Sequence, residues 1–151
     1  MLIRHKCIVH ERTEDAPFVG ALIVGINCDI GCPECFNQEI KEAENLDIEM
    51  LDLLKVVTKN PFNKGLILGG LEWTCQPREM LAIVDMCVAT GLDLMVYTGH
   101  TEEEFFRRVP QSRFRQCYVK FGSYDLASKS GHYYSHGVKL ASTNQYIKWF
   151  E

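Results

Sequence analysis

Phe18-Val19-Gly20-Ala21-Leu22-Ile23-Val24-Gly25-Ile26 is an almost unbroken apolar run. With only Asn27 between, it leads into Cys28-Asp29-Ile30-Gly31-Cys32-Pro33-Glu34-Cys35. The run has the length and apolarity of a strand buried on both faces, the kind that sits inside a parallel sheet. The second stretch places three thiols within eight residues at the exit of that strand.

The rest of the chain alternates between strand-like and helix-like periods. Residues 3–9 read as an opening strand. Asp47 is placed to cap a helix over residues 47–59, with Ile48, Leu51, Leu54 and Val57 at helical spacing and Asn60-Pro61 to stop it. Residues 65–68 form a short buried strand ending at Gly69-Gly70. Pro77 suits a first helical turn, Met80, Leu81, Val84, Cys87 and Val88 form the inner stripe, and Gly91 follows as the C-terminal cap. Residues 92–97 return as a strand. Thr101-Glu102-Glu103-Glu104 is a capping box that opens a helix ending before Pro110. Residues 117–121 are a further core strand. A loop with Gly, Ser and His follows Gly122, and a last strand spans residues 146–150.

Strands separated by helices predict an α/β fold with a mainly parallel sheet. A closed eight-stranded barrel takes roughly 200 residues or more, and the chain has 151. The expectation is a single domain over residues 1–151 built as a partial, open parallel (β/α) barrel. Cys28, Gly69-Gly70, Thr98-Gly99 and Gly122 each follow an expected strand, where parallel α/β folds place ligands.

Composition bounds the function. The chain is 46% hydrophobic and 24% charged, as ordinary folded proteins are. Its net charge of −4 argues against nucleic-acid binding as the main task, because phosphate neutralisation needs a basic face. Met1-Leu2-Ile3-Arg4-His5-Lys6 opens no long apolar run, so neither a signal peptide nor a membrane anchor is expected, and the cytoplasm is the expected compartment. Seven cysteines, an odd number in a chain of this size, do not fit a disulfide framework. Clustered thiols then point to metal or catalysis.

The spacing C-x3-C-x2-C supplies soft thiolates to one centre, with Gly31 giving the turn and Pro33 the stiffness. Structural zinc takes four protein ligands, usually as separated pairs. Three thiolates on a four-iron cluster leave one iron open for another ligand, so an iron–sulfur cluster fits this loop best. Two readings stand beside it: structural zinc completed by Cys7, Cys75 or a distant His, and buried cysteines with no ligand role.

Residues 28–37, ending Cys35-Phe36-Asn37, resemble the signature loop of the radical S-adenosylmethionine superfamily. More narrowly, they look like those of the small activating proteins of anaerobic ribonucleoside-triphosphate reductase. Gly69-Gly70-Leu71-Glu72 with Gln76 is similar to that family's glycine-rich segment. Tyr97-Thr98-Gly99-His100 with Glu103, then Val119-Lys120-Phe121-Gly122-Ser123-Tyr124 and Ser142-Thr143-Asn144-Gln145, fall in the family's order. Glu14-Asp15-Ala16-Pro17-Phe18 departs from the Gly-Pro-Gly-x-Arg-like stretch that relatives carry before the first strand.

The resemblance implies a [4Fe-4S] cluster on Cys28, Cys32 and Cys35, with S-adenosyl-L-methionine on the open iron. It implies Phe36 near the adenine and Gly69-Gly70 beside the methionine moiety. Glu72 would meet the cofactor's ammonium, although Leu71 separates it from the glycine pair; a solvated or helix-capping glutamate is the other reading. Thr98 either touches the ribose or simply ends a strand. Lys120 is expected at the surface, Cys75, Cys87 and Cys117 in the core, and His132 and His136 in a flexible loop. Asn144-Gln145 has no role derivable from the residues alone. As an activity, the resemblance implies reductive cleavage of S-adenosylmethionine, with flavodoxin or ferredoxin as reductant. The radical would pass to a glycyl-radical enzyme, the large subunit of anaerobic ribonucleotide reductase. Action on a small molecule or peptide, an electron-transfer or redox-sensing role, and a zinc-stabilised binding module are the alternatives.

Overall fold

Gly65-Leu66-Ile67-Leu68-Gly69 is buried at every position, and a strand with no wet face needs cover on both sides. The structure, a computed structural model, describes residues 1–31 and 38–151. Its strands are β1 (Leu2–His5), β2 (Ile8–Arg12), β3 (Gly20–Val24), β4 (Leu46–Glu49), β5 (Gly65–Gly69), β6 (Asp93–Tyr97), β7 (Cys117–Phe121), β8 (Lys129–Ser135), β9 (Val138–Ser142) and β10 (Tyr146–Phe150). Its helices are α1 (Gln38–Glu42), α2 (Met50–Lys59), α3 (Pro77–Thr90) and α4 (Glu102–Arg108).

Six strands make the main sheet, in the order β10-β7-β6-β5-β3-β2. The central four, β3, β5, β6 and β7, are parallel; β2 and β10 run antiparallel along the two edges. The sheet is therefore parallel only where helices connect its strands. Alternation splits each strand between two cores. Leu66, Leu68, Val96, Val119 and Phe121 join Leu53, Val57, Met80, Ile83, Val84 and Phe105 from the helices. Ile67, Met95 and Ile147 face the other way, under Ala16, Val138 and Leu140.

Several expectations hold at the level of single residues. Pro77 opens α3, and Gly91 ends it in the left-handed conformation with its N–H on the Cys87 carbonyl. The Thr101 hydroxyl accepts from Glu104 N at 3.2 Å and caps α4.

Others differ, for physical reasons. The expected strand over residues 3–9 is two strands. β1 pairs with β4 outside the main sheet and β2 pairs with β3 inside it. The partner changes at Lys6, whose ammonium donates to the carbonyls of Lys41 and Ala43 at the end of α1. That pairing also takes residues 46–49 as a strand, so α2 starts at Met50 and Asp47 caps nothing. Its inward stripe is Leu53 and Val57, and Leu51 is 69% exposed. In α3 Ile83 replaces Val88 on the inward face. The expected loop after Gly122 is largely an antiparallel hairpin of β8 and β9. Its turn, His136-Gly137, has positive φ at both residues, which suits the twist of a tight hairpin. Among the described residues no helix is long and apolar enough to cross a membrane.

Gly70 follows β5 with φ +78°, and a Cβ there would lie 2.6 Å from Val24 Cγ1. Both the dihedral and the contact exclude a side chain. Gly70→Ala should destabilise the metal-free protein by roughly 1–3 kcal/mol, measured by urea unfolding. Gly131→Ala, where a Cβ meets nothing within 4 Å, should leave the midpoint almost unchanged.

Candidate metal centre

The exit of β3 is gripped by the turn that follows β5. Trp73, fully buried, donates from Nε1 to the Ile23 carbonyl at 3.2 Å. Gln76 Oε1 accepts from Ile26 N at 2.9 Å, and Glu72 N donates to the Asn27 carbonyl at 2.8 Å. Three contacts in close succession therefore fix residues 23–27, the backbone that delivers Cys28. Gln76 is held in turn: its amide donates to Arg4 O and to Glu79 Oε2, and Glu79 is ion-paired to Arg4.

Glu72 ties the strand ends together. It is 2% exposed. Oε2 accepts from Thr74 N (3.1 Å) and Thr74 Oγ1 (2.7 Å); Oε1 accepts from Thr98 Oγ1 (2.9 Å) and Gly99 N (2.9 Å). Four donors match the four lone-pair sites of a carboxylate. Glu72 is thus a capping residue for the turn Trp73–Cys75, buried rather than solvated. A cofactor ammonium at this carboxylate would have to share a site already in use. Thr98 directly follows β6, donates to Glu72 and accepts from His100 N at 3.1 Å.

Cys28 emerges half-buried above these loops as a free thiol. The residues after it are seated on the exit of β6 and on α4. A Cβ on Gly99 would lie 2.2 Å from Ile30 Cδ1, so Ile30 rests directly on that glycine. The Asp29 carboxylate accepts from Arg108 Nη1 at 2.8 Å, and His100 Nε2 stands 3.6 Å away. Burial pushes the Asp29 carboxyl up, but Arg108, Cys75 and His100 together hold it below its ordinary range. Burial first, and then the charge of Asp29, lift the Cys75 thiol to about 11. His100 Nε2 is buried without a hydrogen-bond partner among the described residues.

Of the residues singled out in the sequence, Cys28, Gly69, Gly70, Glu72 and Thr98 lie at adjoining strand ends. Cys32, Cys35 and Phe36 lie outside the described residues. Among the described residues alone, no three of His, Cys, Asp and Glu form a metal-holding group. Lys120 is not a surface residue: it is 7% exposed, and its ammonium donates to the Gly122 carbonyl at 2.8 Å beside the Tyr97 ring. Cys87 and Cys117 are core thiols, which burial pushes up to about 12, whereas Cys75 is only half-buried. His132 and His136 are exposed, on β8 and in its turn.

Asn144 and Gln145 staple the final turn to the exit of β7. Asn144 Nδ2 donates to Ser123 O, and Gln145 Nε2 donates to Gly122 O while its Oε1 accepts from Ala141 N and Ser142 N. Asp29 and Arg108 are the residues that sequence reasoning missed. They are 79 positions apart, and no local pattern joins them.

Cys28 leaves β3 at the end of an α/β sheet where β5 and β6 also exit. The chain belongs to the family of 4Fe-4S single cluster domains, whose family model matches residues 19–128. No curated protein and no solved structure matches the chain significantly. It is an iron–sulfur protein, and the described part of the site fits that group. Cys28 offers a soft, unpaired sulfur, the loop that carries it is seated on Gly99, and the buried His100 nitrogen faces the same loop.

Glu72→Gln keeps the side chain's shape but turns one acceptor into a donor facing other donors. It should destabilise the metal-free protein by roughly 2–4 kcal/mol in urea unfolding. A loss under about 0.5 kcal/mol would show that the carboxylate does not hold these strand ends together.

Proposed function

We propose that the chain is a radical S-adenosylmethionine enzyme that carries its [4Fe-4S] cluster on Cys28, Cys32 and Cys35. On this reading the six-stranded sheet is the partial, open (β/α) barrel of that superfamily. The observation that carries the reading is the convergence of Cys28 with the exits of β5, β6 and β7 at one end of the parallel strands, where α/β sheets take ligands. The three-thiol spacing adds to it, because it leaves one iron without a protein ligand.

When bound, the cluster supplies the electron that cleaves S-adenosylmethionine to methionine and a 5′-deoxyadenosyl radical. The chain's residues orient and enclose the cofactor. By the resemblance, Gly69-Gly70 would lie beside the methionine moiety, Thr98 would border the ribose, and Phe36, outside the described residues, would meet the adenine. Flavodoxin or ferredoxin is the reductant. The radical acceptor is a backbone glycine of a large partner, on the resemblance the large subunit of anaerobic ribonucleotide reductase.

A second reading has its own observation. Glu72 uses all its acceptor sites inside the protein, which removes one expected cofactor contact. That favours an iron–sulfur protein for electron transfer or redox sensing, with no cleavage of S-adenosylmethionine.

Anaerobic reconstitution should load about four irons and four sulfides per chain, as a cubane on thiolates requires. Cys28→Ala should abolish or destabilise that cluster, while Cys87→Ala should only lower stability. S-adenosylmethionine should alter the paramagnetic resonance spectrum of the reduced cluster, and dithionite should then yield 5′-deoxyadenosine and methionine. With the cognate partner present, a stable radical should appear on that partner and vanish when its acceptor glycine is replaced. A full cluster whose spectrum ignores the cofactor, with no 5′-deoxyadenosine formed, would transfer the protein to the redox reading. Stoichiometric zinc without sulfide would overturn both.

A further inference from the structure

One ion pair reaches the cysteine loop from a helix rather than from the strand exits. Arg108 is the last residue of α4, and its guanidinium spans two partners. Nη1 donates to Asp29 Oδ2 at 2.8 Å, and Nε donates to Glu104 Oε1 at 3.3 Å one turn back on the same helix. The helix is itself fixed at its start by the Thr101 cap and along its buried side by Phe105. Asp29 gathers contacts from two elements: Arg108 on α4 and His100 after β6. Its neighbour in the chain is Cys28.

We propose that Arg108 and Asp29 form a clamp that positions the first cluster ligand and offsets the charge beside it. This rests on Cys28 being a cluster ligand. The clamp has two separable effects. As a tether, it holds the loop against α4 and slows loss of iron. As a charge pair, it cancels a carboxylate that would otherwise stand bare beside an anionic thiolate cluster and oppose its reduction. Neighbouring charge and hydrogen bonding are the protein's ordinary means of setting a cluster's potential. Arg108 and Asp29 are positioning residues in this scheme and touch no reacting atom.

The experiment uses the full chain with its reconstituted cluster. Wild type is compared with Arg108→Gln, Arg108→Lys, Asp29→Asn, the double variant that combines Asp29→Asn with Arg108→Gln, and Arg107→Gln. Among the described residues Arg107 pairs with Glu103 and Glu104 of its own helix, away from Asp29, and serves as the control. Iron release to a chelator should be about tenfold faster in Arg108→Gln, Asp29→Asn and the double variant, the size typical of outer-shell substitutions. Arg108→Lys should fall between these and wild type, and Arg107→Gln should match wild type. Redox titration should move the midpoint negative in Arg108→Gln and positive in Asp29→Asn, and bring it back towards wild type in the double variant. Should Arg108→Gln fail to fold without metal, judged by its thermal transition, Asp29→Asn and Arg108→Lys carry the same comparison. Wild-type release rates in both single variants, equal acceleration in Arg107→Gln, or potentials that shift in the same direction in both single variants would each overturn the clamp. A wild-type chain that binds no cluster would instead overturn the function on which it rests.

Discussion

Buried carboxylates are costly unless every acceptor site is answered, and Glu72 shows how that cost becomes architecture. Its four donors come from the turn after β5 and from the exit of β6, while its own N–H answers the carbonyl of Asn27 after β3. Three parallel strands thus end in one hydrogen-bonded unit. Gly70 and Gly99 leave room for the Val24 and Ile30 side chains against it. The cysteine loop inherits its starting point from this unit.

Around that point the molecule divides its labour by face. The helices bury the larger core on one side of the sheet, and the hairpin of β8 and β9 covers the other with Val138 and Leu140. Gln145 and Asn144 fasten the turn after that hairpin to the exit of β7, so the fourth parallel strand is also tied down where it leaves the sheet. Lys120 lies buried at the same exit, its ammonium on the Gly122 carbonyl. Strands bearing cross-bonded loops are what a metal centre needs if its ligands are to keep their geometry.

Much of this was legible beforehand. Local signals were reliable where the physics is local: Pro77 and Gly91 bounding α3, Thr101 capping α4, and the uninterrupted apolar strands at the sheet centre. Signals failed where a distant partner decided. Asp47 and Ile48 were read into a helix but pair with β1, and Lys6, where the strand changes partner, binds a carbonyl 35 residues away. The β8–β9 hairpin was hidden because its turn is His-Gly rather than Asn-Gly, and its glycine, serines and histidines resemble loop composition.

The sequence by itself determined the donor chemistry of the cysteine loop, and the choice of an iron–sulfur cluster over zinc came with the family match. Three thiols at short spacing after a buried strand state their own ligand class, since softness and spacing are covalent properties of the chain. Tertiary structure alone decided what surrounds Cys28. Whether Glu72 is solvated, faces a cofactor or caps a turn depends on Thr74, Thr98 and Gly99 arriving beside it. Whether Asp29 is a bare charge or a paired one depends on Arg108, which only the packing of α4 brings within 2.8 Å. Burial and Coulomb energy are set by separation in space, and a sequence records only separation along the chain.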